Sequence, residues 1–376
     1  MEKETLYVHG HNFTEPTGAV SVPIYQSATF KHVGLNESTG FDYSRLQNPT
    51  RQAVEHTVAA LEGGADAIGY SSGMAAITAL MELFSPGGHI VSSEDLYGGA
   101  IRFFRNISAK NGLSFSFTDT SDLVAVEKSI TQKTKAIFIE TPTNPMMIIT
   151  DIEAICRIAK PRGIWVIVDN TFLTPHFLQP LKLGADIVVH SGTKFLGGHN
   201  DTLAGFSVFK DADIAEKARF IAKTIGACLS PFDSWLLLRG IKTLAIRMER
   251  AEKNAFAVAE FLQNHKRVNK VFYAGLPSHK GYGILKKQAT GFGSMVSFEV
   301  DSHETLKKVL KSVKVLSFAE SLGGVESLIT YPAVQTHADV PELEREKRGI
   351  NDRLLRISVG IENEKDIIAD LKHALE

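Results

Sequence analysis

The densest chemistry in this sequence sits where apolar runs stop. Gly163-Ile-Trp-Val-Ile-Val ends in Asp169, followed by Asn170 and Thr171. Ala185-Asp-Ile-Val-Val-His ends in Ser191-Gly-Thr193-Lys194-Phe-Leu-Gly-Gly-His199. A lysine beside two hydroxyls at a strand mouth can hold a phosphate as a point charge or form a Schiff base with an aldehyde. It can equally be an ordinary solvated loop lysine. The unbroken apolar run before Asp169 reads as a buried strand. In open α/β sheets the ligand site lies at the carboxyl ends of strands, where Asp169 and Ser191 both fall.

Together these residues point to one cofactor. Pyridoxal phosphate needs a lysine for its aldehyde, an acid to keep its ring nitrogen protonated, and donors for a dianionic phosphate. A strand-end aspartate and a Ser-x-Thr-Lys at the next strand supply all three. Further candidates surround them. Ala67-Ile-Gly-Tyr-Ser-Ser-Gly73-Met74 followed by an apolar helical run reads as strand, tight turn and helix. Its first amides would face an anion, or simply form a plain βα turn. Tyr97 follows another strand end and could cover a flat ring or lie in the core. Arg356 follows Leu354 and Leu355, so it either joins a structural ion pair or reads a carboxylate.

The positioning elements follow from periodicity. Residues 1–50 show little of it and contain Pro16, Gly18, Pro23, Gly34, Gly40 and Pro49. So long a connection suits an arm reaching onto a neighbouring subunit. Thr50 is placed to cap a helix over 51–61, which Gly63 and Gly64 end. Strands are expected at 67–70, 89–94, 135–140, 163–169, 185–191 and 205–209, alternating with helices such as 151–160. That order predicts a mostly parallel sheet covered by helices. From about 211 the pattern turns helical, with a break near Gly240. Segments 293–300 and 354–359 alternate like half-exposed strands, flanked by helices at 302–312 and 364–375. The expected organisation is an arm over 1–50, a large domain over 51–235 and a smaller α/β domain with an antiparallel component over 236–376.

The totals exclude several classes. With 376 residues the chain can hold two domains, and its formal net charge of -1 suggests no general affinity for nucleic acid or membranes. No 20-residue apolar run occurs, and Met1-Glu-Lys-Glu-Thr-Leu does not read as a signal peptide. Two cysteines, Cys156 and Cys228, make no disulfide framework, so a cytoplasmic protein is expected. The histidines are scattered, so no metal is expected. Neither a Gly-x-Ser-x-Gly elbow nor a Gly-x-Gly-x-x-Gly fingerprint appears.

The chain resembles the Cys/Met-metabolism group of pyridoxal-phosphate enzymes, the cystathionine γ-synthase and cystathionine lyase family. The motifs run in order along nearly the whole length: Tyr43-Ser-Arg45-x-x-Asn-Pro-Thr, Ser71-Ser-Gly-Met-Ala-Ala, Asp95-Leu-Tyr-Gly-Gly, Glu140-Thr-Pro-Thr-Asn-Pro, Val168-Asp-Asn-Thr and His190-Ser-Gly-Thr-Lys-Phe-Leu-Gly-Gly-His. Glu320-Ser-Leu-Gly-Gly-Val-Glu-Ser and Leu355-Arg-Ile-Ser-Val-Gly-Ile-Glu complete the set. The resemblance implies the fold-type-I, aspartate-aminotransferase-like fold of pyridoxal-phosphate transferases. It implies that Lys194 is the Schiff-base lysine and acid/base, that Asp169 partners the ring nitrogen and that Tyr97 stacks on the ring and assists proton transfer or departure of the leaving group. Gly73, Met74, Ser191 and Thr193 would hold the phosphate, with Tyr43 and Arg45 arriving from the adjacent subunit. Arg356 would clamp the substrate α-carboxylate, helped by Ser321 and Asn144. The resemblance also implies a homotetramer of catalytic dimers acting on small amino acids in trans-sulfuration, within methionine and cysteine metabolism. Gly99 stands where the family's methionine γ-lyases tend to carry a reactive cysteine. Glu320 resembles the synthases and γ-lyases more than the β-lyases, so cystathionine γ-synthase is the expected activity, with cystathionine γ-lyase or β-lyase as the alternative.

Overall fold

The computed structural model describes residues 1–10, 17–338 and 340–376; residues 11–16, with Pro16 of the expected arm, and Asp339 lie outside the described residues. Seven strands form the larger sheet: β1 (Asp66–Tyr70), β2 (His89–Ser93), β3 (Ser114–Thr118), β4 (Thr134–Glu140), β5 (Trp165–Asp169), β6 (Ile187–Ser191) and β7 (Gly205–Phe209). Their order is β1-β7-β6-β5-β4-β2-β3. Strand β7 runs antiparallel to both neighbours, and the remaining pairings are parallel.

The strands are apolar without alternation because both faces are covered. On one face Ile139, Val166, Val168 and Val188 pack with Val54, Val58 and Leu61 of the helix Pro49–Glu62. On the other, Phe138, Ile167, Ile187 and Val189 pack with Ile77 and Leu80 of the helix Gly73–Met81. Each such fully buried side chain contributes about 1.5–3 kcal/mol relative to exposure.

The cap of the helix Pro49–Glu62 differs from expectation. Asn48 Oδ1 accepts from the amides of Thr50 at 3.0 Å and Arg51 at 3.4 Å. Pro49 is set for the first helical position, so the cap must precede it. Thr50 instead donates its hydroxyl to Pro23 O at 2.8 Å, which ties down the preceding segment.

After β7 the chain runs through the helices Ala212–Ile225, Pro231–Ile241 and Leu244–Gln263. The smaller sheet contains β8 (Val268–Phe272), β9 (Met295–Val300), β10 (Ser317–Phe318), β11 (Leu328–Thr330) and β12 (Leu354–Ser358), in the order β10-β11-β12-β9-β8. All its pairings are antiparallel except β10 with β11. Here the expectation of half-exposed strands is corrected. The apolar face, with Val296, Phe298, Leu355 and Ile357, packs in its own core. The polar face, with Ser297, Thr330, Arg356 and Ser358, is buried as well. It docks on the loop after β4, where Ser297 Oγ donates to Pro145 O at 2.7 Å. Alternation in β9 and β12 therefore marks a polar interface with the larger sheet rather than a solvated face.

Candidate active site

Strand register assembles the site. Glu140 pairs with Asp169 across β4 and β5, and Ser191 pairs with Gly205, which in turn pairs with Tyr70. The ends of β1, β4, β5 and β6 therefore open on one edge of the larger sheet. The helix Gly73–Met81 starts on that edge, capped by Ser72, whose Oγ accepts from the Ala75 amide at 3.1 Å. The Ser72 carbonyl takes the Ala76 amide. The amides of Gly73 and Met74 thus remain at the open end, where a helix favours an anion.

The expected phosphate residues meet there. A Cβ on Gly73 would lie 3.0 Å from Ser191 Cβ and 3.2 Å from Ser191 Oγ, so the helix start and the end of β6 touch only because residue 73 is glycine. Likewise a Cβ on Gly205 would overlap the Ser72 carbonyl. The Thr193 hydroxyl is already engaged, accepting from the Ala204 amide at 3.0 Å while donating to Ala204 O at 3.3 Å. Thr171, which sequence reasoning left without a role, ties β5 to β6. Its hydroxyl accepts from the Ser191 amide at 2.9 Å, and its amide donates to Asp169 Oδ1 at 3.0 Å.

Asp169 and Glu140 stand side by side. Burial pushes the Asp169 carboxyl above its ordinary range. Burial and the neighbouring Asp169 charge push Glu140 well above its own. Two facing carboxylates ionise together only if a cation joins them. Glu140 was also not assigned a role from sequence. Its Oε2 accepts the Tyr97 amide at 2.9 Å, fixing the turn that presents Tyr97. The Tyr97 ring lies over Gly99, where a Cβ would come within 2.5 Å of Tyr97 Cε1. A cysteine at 99 does not fit this ring position.

Lys194 Nζ donates to Ser321 Oγ at 2.6 Å. Burial, then the nearby Arg356 charge, lower its pKa to about 8, with Glu320 opposing. An amine so depressed is partly neutral near neutral pH, which a base or nucleophile requires. Ser321 holds this contact from a left-handed backbone, φ +85°, a strained conformation that tends to persist at functional sites. Arg356 is 1% exposed. Its Nη1 donates to Asn144 Oδ1 at 2.8 Å, and its Nη2 to Ser321 O at 2.9 Å and Thr330 Oγ1 at 3.2 Å. Its Nε has no hydrogen-bond partner among the described residues. Burial lowers its pKa to about 10, so it stays cationic and offers an N–H to an anion. Glu320 is exposed and, with Thr193 and Ser321, lines a cavity of about 770 Å³.

Two expected residues lie apart. Tyr43 is 44% exposed and Arg45 is exposed too; Arg45 stacks over the Tyr43 ring at 5.4 Å and donates to Lys223 O at 2.7 Å. Arg45 lines another cavity, of about 500 Å³, with Arg51, Asp66 and Arg219, and Lys194 is not among the residues around it. Among the described residues no His, Cys, Asp and Glu cluster could hold a metal, and no helix is long and apolar enough to cross a membrane.

The chain matches the family profile of the Cys/Met metabolism PLP-dependent enzymes over residues 4–376. It belongs to that family. The cofactor is therefore pyridoxal phosphate, and the fold is that of its fold-type-I enzymes. The residues present fit the group: a carboxylate pair short of a cation, two helix-end amides beside a hydroxyl, and a depressed lysine amine. Relatives carry more than one activity. The chain is 49% identical to a cystathionine γ-lyase of Bacillus subtilis, over all of both chains. It is 50% identical to that organism's cystathionine γ-synthase/O-acetylhomoserine (thiol)-lyase, covering 97% of this chain and 94% of the relative. It is 48% identical to a cystathionine β-lyase of Lactococcus lactis, covering 99% and 98%. The crystal structure of cystathionine γ-lyase from Lactobacillus plantarum complexed with L-serine superposes with a TM-score of 0.97 at 43% identity, covering 100% of this chain and 98% of that one.

Proposed function

We propose that this pyridoxal-phosphate enzyme is a cystathionine γ-synthase, joining an O-acylated homoserine to cysteine by replacement at Cγ. The supporting observation is the adjacency of Glu320 and Ser321. Ser321 Oγ holds the Lys194 amine, while the carboxylate of the preceding residue faces the same open cavity. That acid suits the ammonium of an incoming amino acid.

Arg356, steadied by Asn144, grips the α-carboxylate of the first substrate. Gly73, Met74, Ser191 and Thr193 hold the cofactor phosphate, Asp169 partners its ring nitrogen and Tyr97 covers its face. The bound cofactor supplies an aldehyde for the substrate amine and a ring that accepts electrons. Lys194 takes the Cα proton, and the same amine then moves a proton at Cβ. The Cγ–O bond breaks, the acyl group leaves as a carboxylate, the thiol sulfur of cysteine bonds to Cγ as its proton is released, and Lys194 returns the protons to Cβ and Cα. One mobile lysine with a pKa of about 8 can alternate between base and acid in this range.

The N-terminal segment presents Val20, Val33 and Leu35 at 75% exposure or more, beside Tyr43 and Arg45. We place this arm on a neighbouring subunit of a cytoplasmic homotetramer, where Tyr43 and Arg45 reach the partner's phosphate. A second reading, cystathionine γ-lyase, is favoured by the similarity to the Bacillus γ-lyase over both full chains. The deciding assay sets O-acetylhomoserine or O-succinylhomoserine with cysteine against cystathionine alone. Cystathionine formed from the first, with little breakdown in the second, supports the synthase. Rapid release of cysteine and 2-oxobutanoate from cystathionine replaces it with the γ-lyase, and homocysteine with pyruvate replaces it with a β-lyase.

A further inference from the structure

We infer that Arg247 is a positioning residue for Lys194, holding the turn that carries the lysine by that turn's own carbonyl groups. The inference rests on the reading of Lys194 as the base that moves the substrate protons.

Residues 192–198 form a single tight turn. The Lys194 amide donates to Ser191 O at 3.2 Å, the Gly197 amide to Gly192 O at 3.0 Å and the Gly198 amide to Lys194 O at 2.7 Å. At Gly198 the backbone turns left-handed, φ +73°, and the helical ladder stops. The carbonyls of Phe195, Leu196 and Gly197 are then left as helix-end acceptors, which attract positive charge. His199 Nδ1 donates to Gly197 O at 2.8 Å. Arg247 serves the other two, with Nη1 donating to Phe195 O at 2.8 Å and Nη2 to Leu196 O at 3.4 Å.

The same guanidinium reaches a second helix end. Nη2 donates to Gly240 O at 2.9 Å, and Nε to Thr243 Oγ1 at 3.2 Å. Gly240 packs so closely that a Cβ there would overlap the Gly197 carbonyl, and a Cβ on Gly198 would run into the guanidinium. Arg247 is 6% exposed, and its hydrogen bonds go to three carbonyls and a hydroxyl, with no carboxylate among them. A buried arginine without a counter-charge is costly to keep, and burial lowers its pKa to about 10. What it gains is a rigid join between the lysine turn and the helix Pro231–Ile241.

The opposite side of the turn is held by the Ser321 loop. A Cβ on Gly323 would come within 2.7 Å of Phe195 N and 3.0 Å of Lys194 C. The peptide of Lys194 is therefore clasped between the Gly323 backbone and the carbonyls that Arg247 grips, while Ser321 Oγ sets its amine. Small misplacements of a catalytic group are expensive in rate, on the order of 10²-fold for about 1 Å.

The test uses the full-length enzyme loaded with cofactor, and the variants Arg247→Lys, Arg247→Met and Lys194→Ala. Loaded sites are counted by the cofactor's visible absorbance, and kcat is expressed per loaded site. Arg247→Lys keeps the charge but cannot reach all the carbonyls at once, so it folds if Arg247→Met does not. The expected result is a fall in kcat per site approaching 10²-fold in Arg247→Met and about ten-fold in Arg247→Lys, with KM unchanged. A merely structural arginine would lower thermal stability and the loaded fraction while kcat per site stayed at the parent value. That outcome overturns the inference, whether it is read in both variants or in Arg247→Lys alone. Full activity in Lys194→Ala would instead overturn the reading of the lysine on which the inference stands.

Discussion

Removing the guanidinium of Arg356 should abolish recognition of the substrate carboxylate at little cost to the fold. In Arg356→Met the charge disappears from a site that is 1% exposed, where solvent cannot replace it. Asn144 Oδ1, Ser321 O and Thr330 Oγ1 lose their donor. Truncating one partner of a buried, hydrogen-bonded charge pair costs about 2–5 kcal/mol of binding. At about 1.4 kcal/mol per decade, kcat/KM should fall by about 30- to 4,000-fold. Stability follows different arithmetic. The three acceptors left without a donor oppose folding, while the loss of an unpaired buried cation favours it. Steady-state kinetics on O-acylhomoserine with cysteine measures the first quantity, and urea unfolding measures the second. A substrate analogue lacking the α-carboxylate provides the control, because parent and variant should process it equally slowly. An unchanged kcat/KM on the carboxylate-bearing substrate would refute the reasoning, and so would an equal loss on the analogue.

Three further outcomes follow from the site. In cofactor-free protein the acylation rate of Lys194, read by mass spectrometry, should rise with a midpoint near pH 8, because the amine is neutral above its lowered pKa. Gly73→Ala should raise the cofactor dissociation constant about ten-fold, since its Cβ would lie 3.0 Å from Ser191 Cβ and force the phosphate cradle apart. Asp95 is 2% exposed, and burial raises its pKa to about 7. The folded state keeps a proton that the unfolded chain has lost, so this group's contribution to stability falls as pH rises through that window. Its penalty is full above about pH 7, on the order of 4 kcal/mol. Asp95→Asn should therefore gain stability over the parent as pH rises from about 4 to about 7 in urea titrations, and a constant difference across that range would contradict this.

The positions of Asp169, Ser191 and Lys194 were legible because β5 and β6 are apolar runs buried on both faces, and such strands announce their ends. Register was not legible. Nothing in the sequence says that Glu140 faces Asp169, although both close an apolar run and that signal was present for each. Alternation in β12 misled for a physical reason: a polar face buried between two sheets has the same period as a solvated one. β3 (Ser114–Thr118), the helix Lys3–His9 and the two-residue β10 gave too short a pattern to separate from loop. Arg247 was hidden in helical periodicity, since its partners are backbone carbonyls that leave no trace in residue type. The close contacts that demand glycine at 73, 99 and 205 were not legible until the neighbouring atoms were placed.

The most direct test of the central claim, that Lys194 moves the substrate's protons, is Cα hydrogen exchange in deuterium oxide. Parent enzyme, Lys194→Ala and Arg356→Met are each loaded with cofactor and incubated with an amino acid that has no leaving group, and the Cα signal is followed by proton NMR. The parent should exchange the Cα hydrogen, Lys194→Ala should not, and Arg356→Met should exchange only at much higher amino-acid concentration. Exchange by Lys194→Ala at the parent rate would contradict the account, because another group would then have to move the proton.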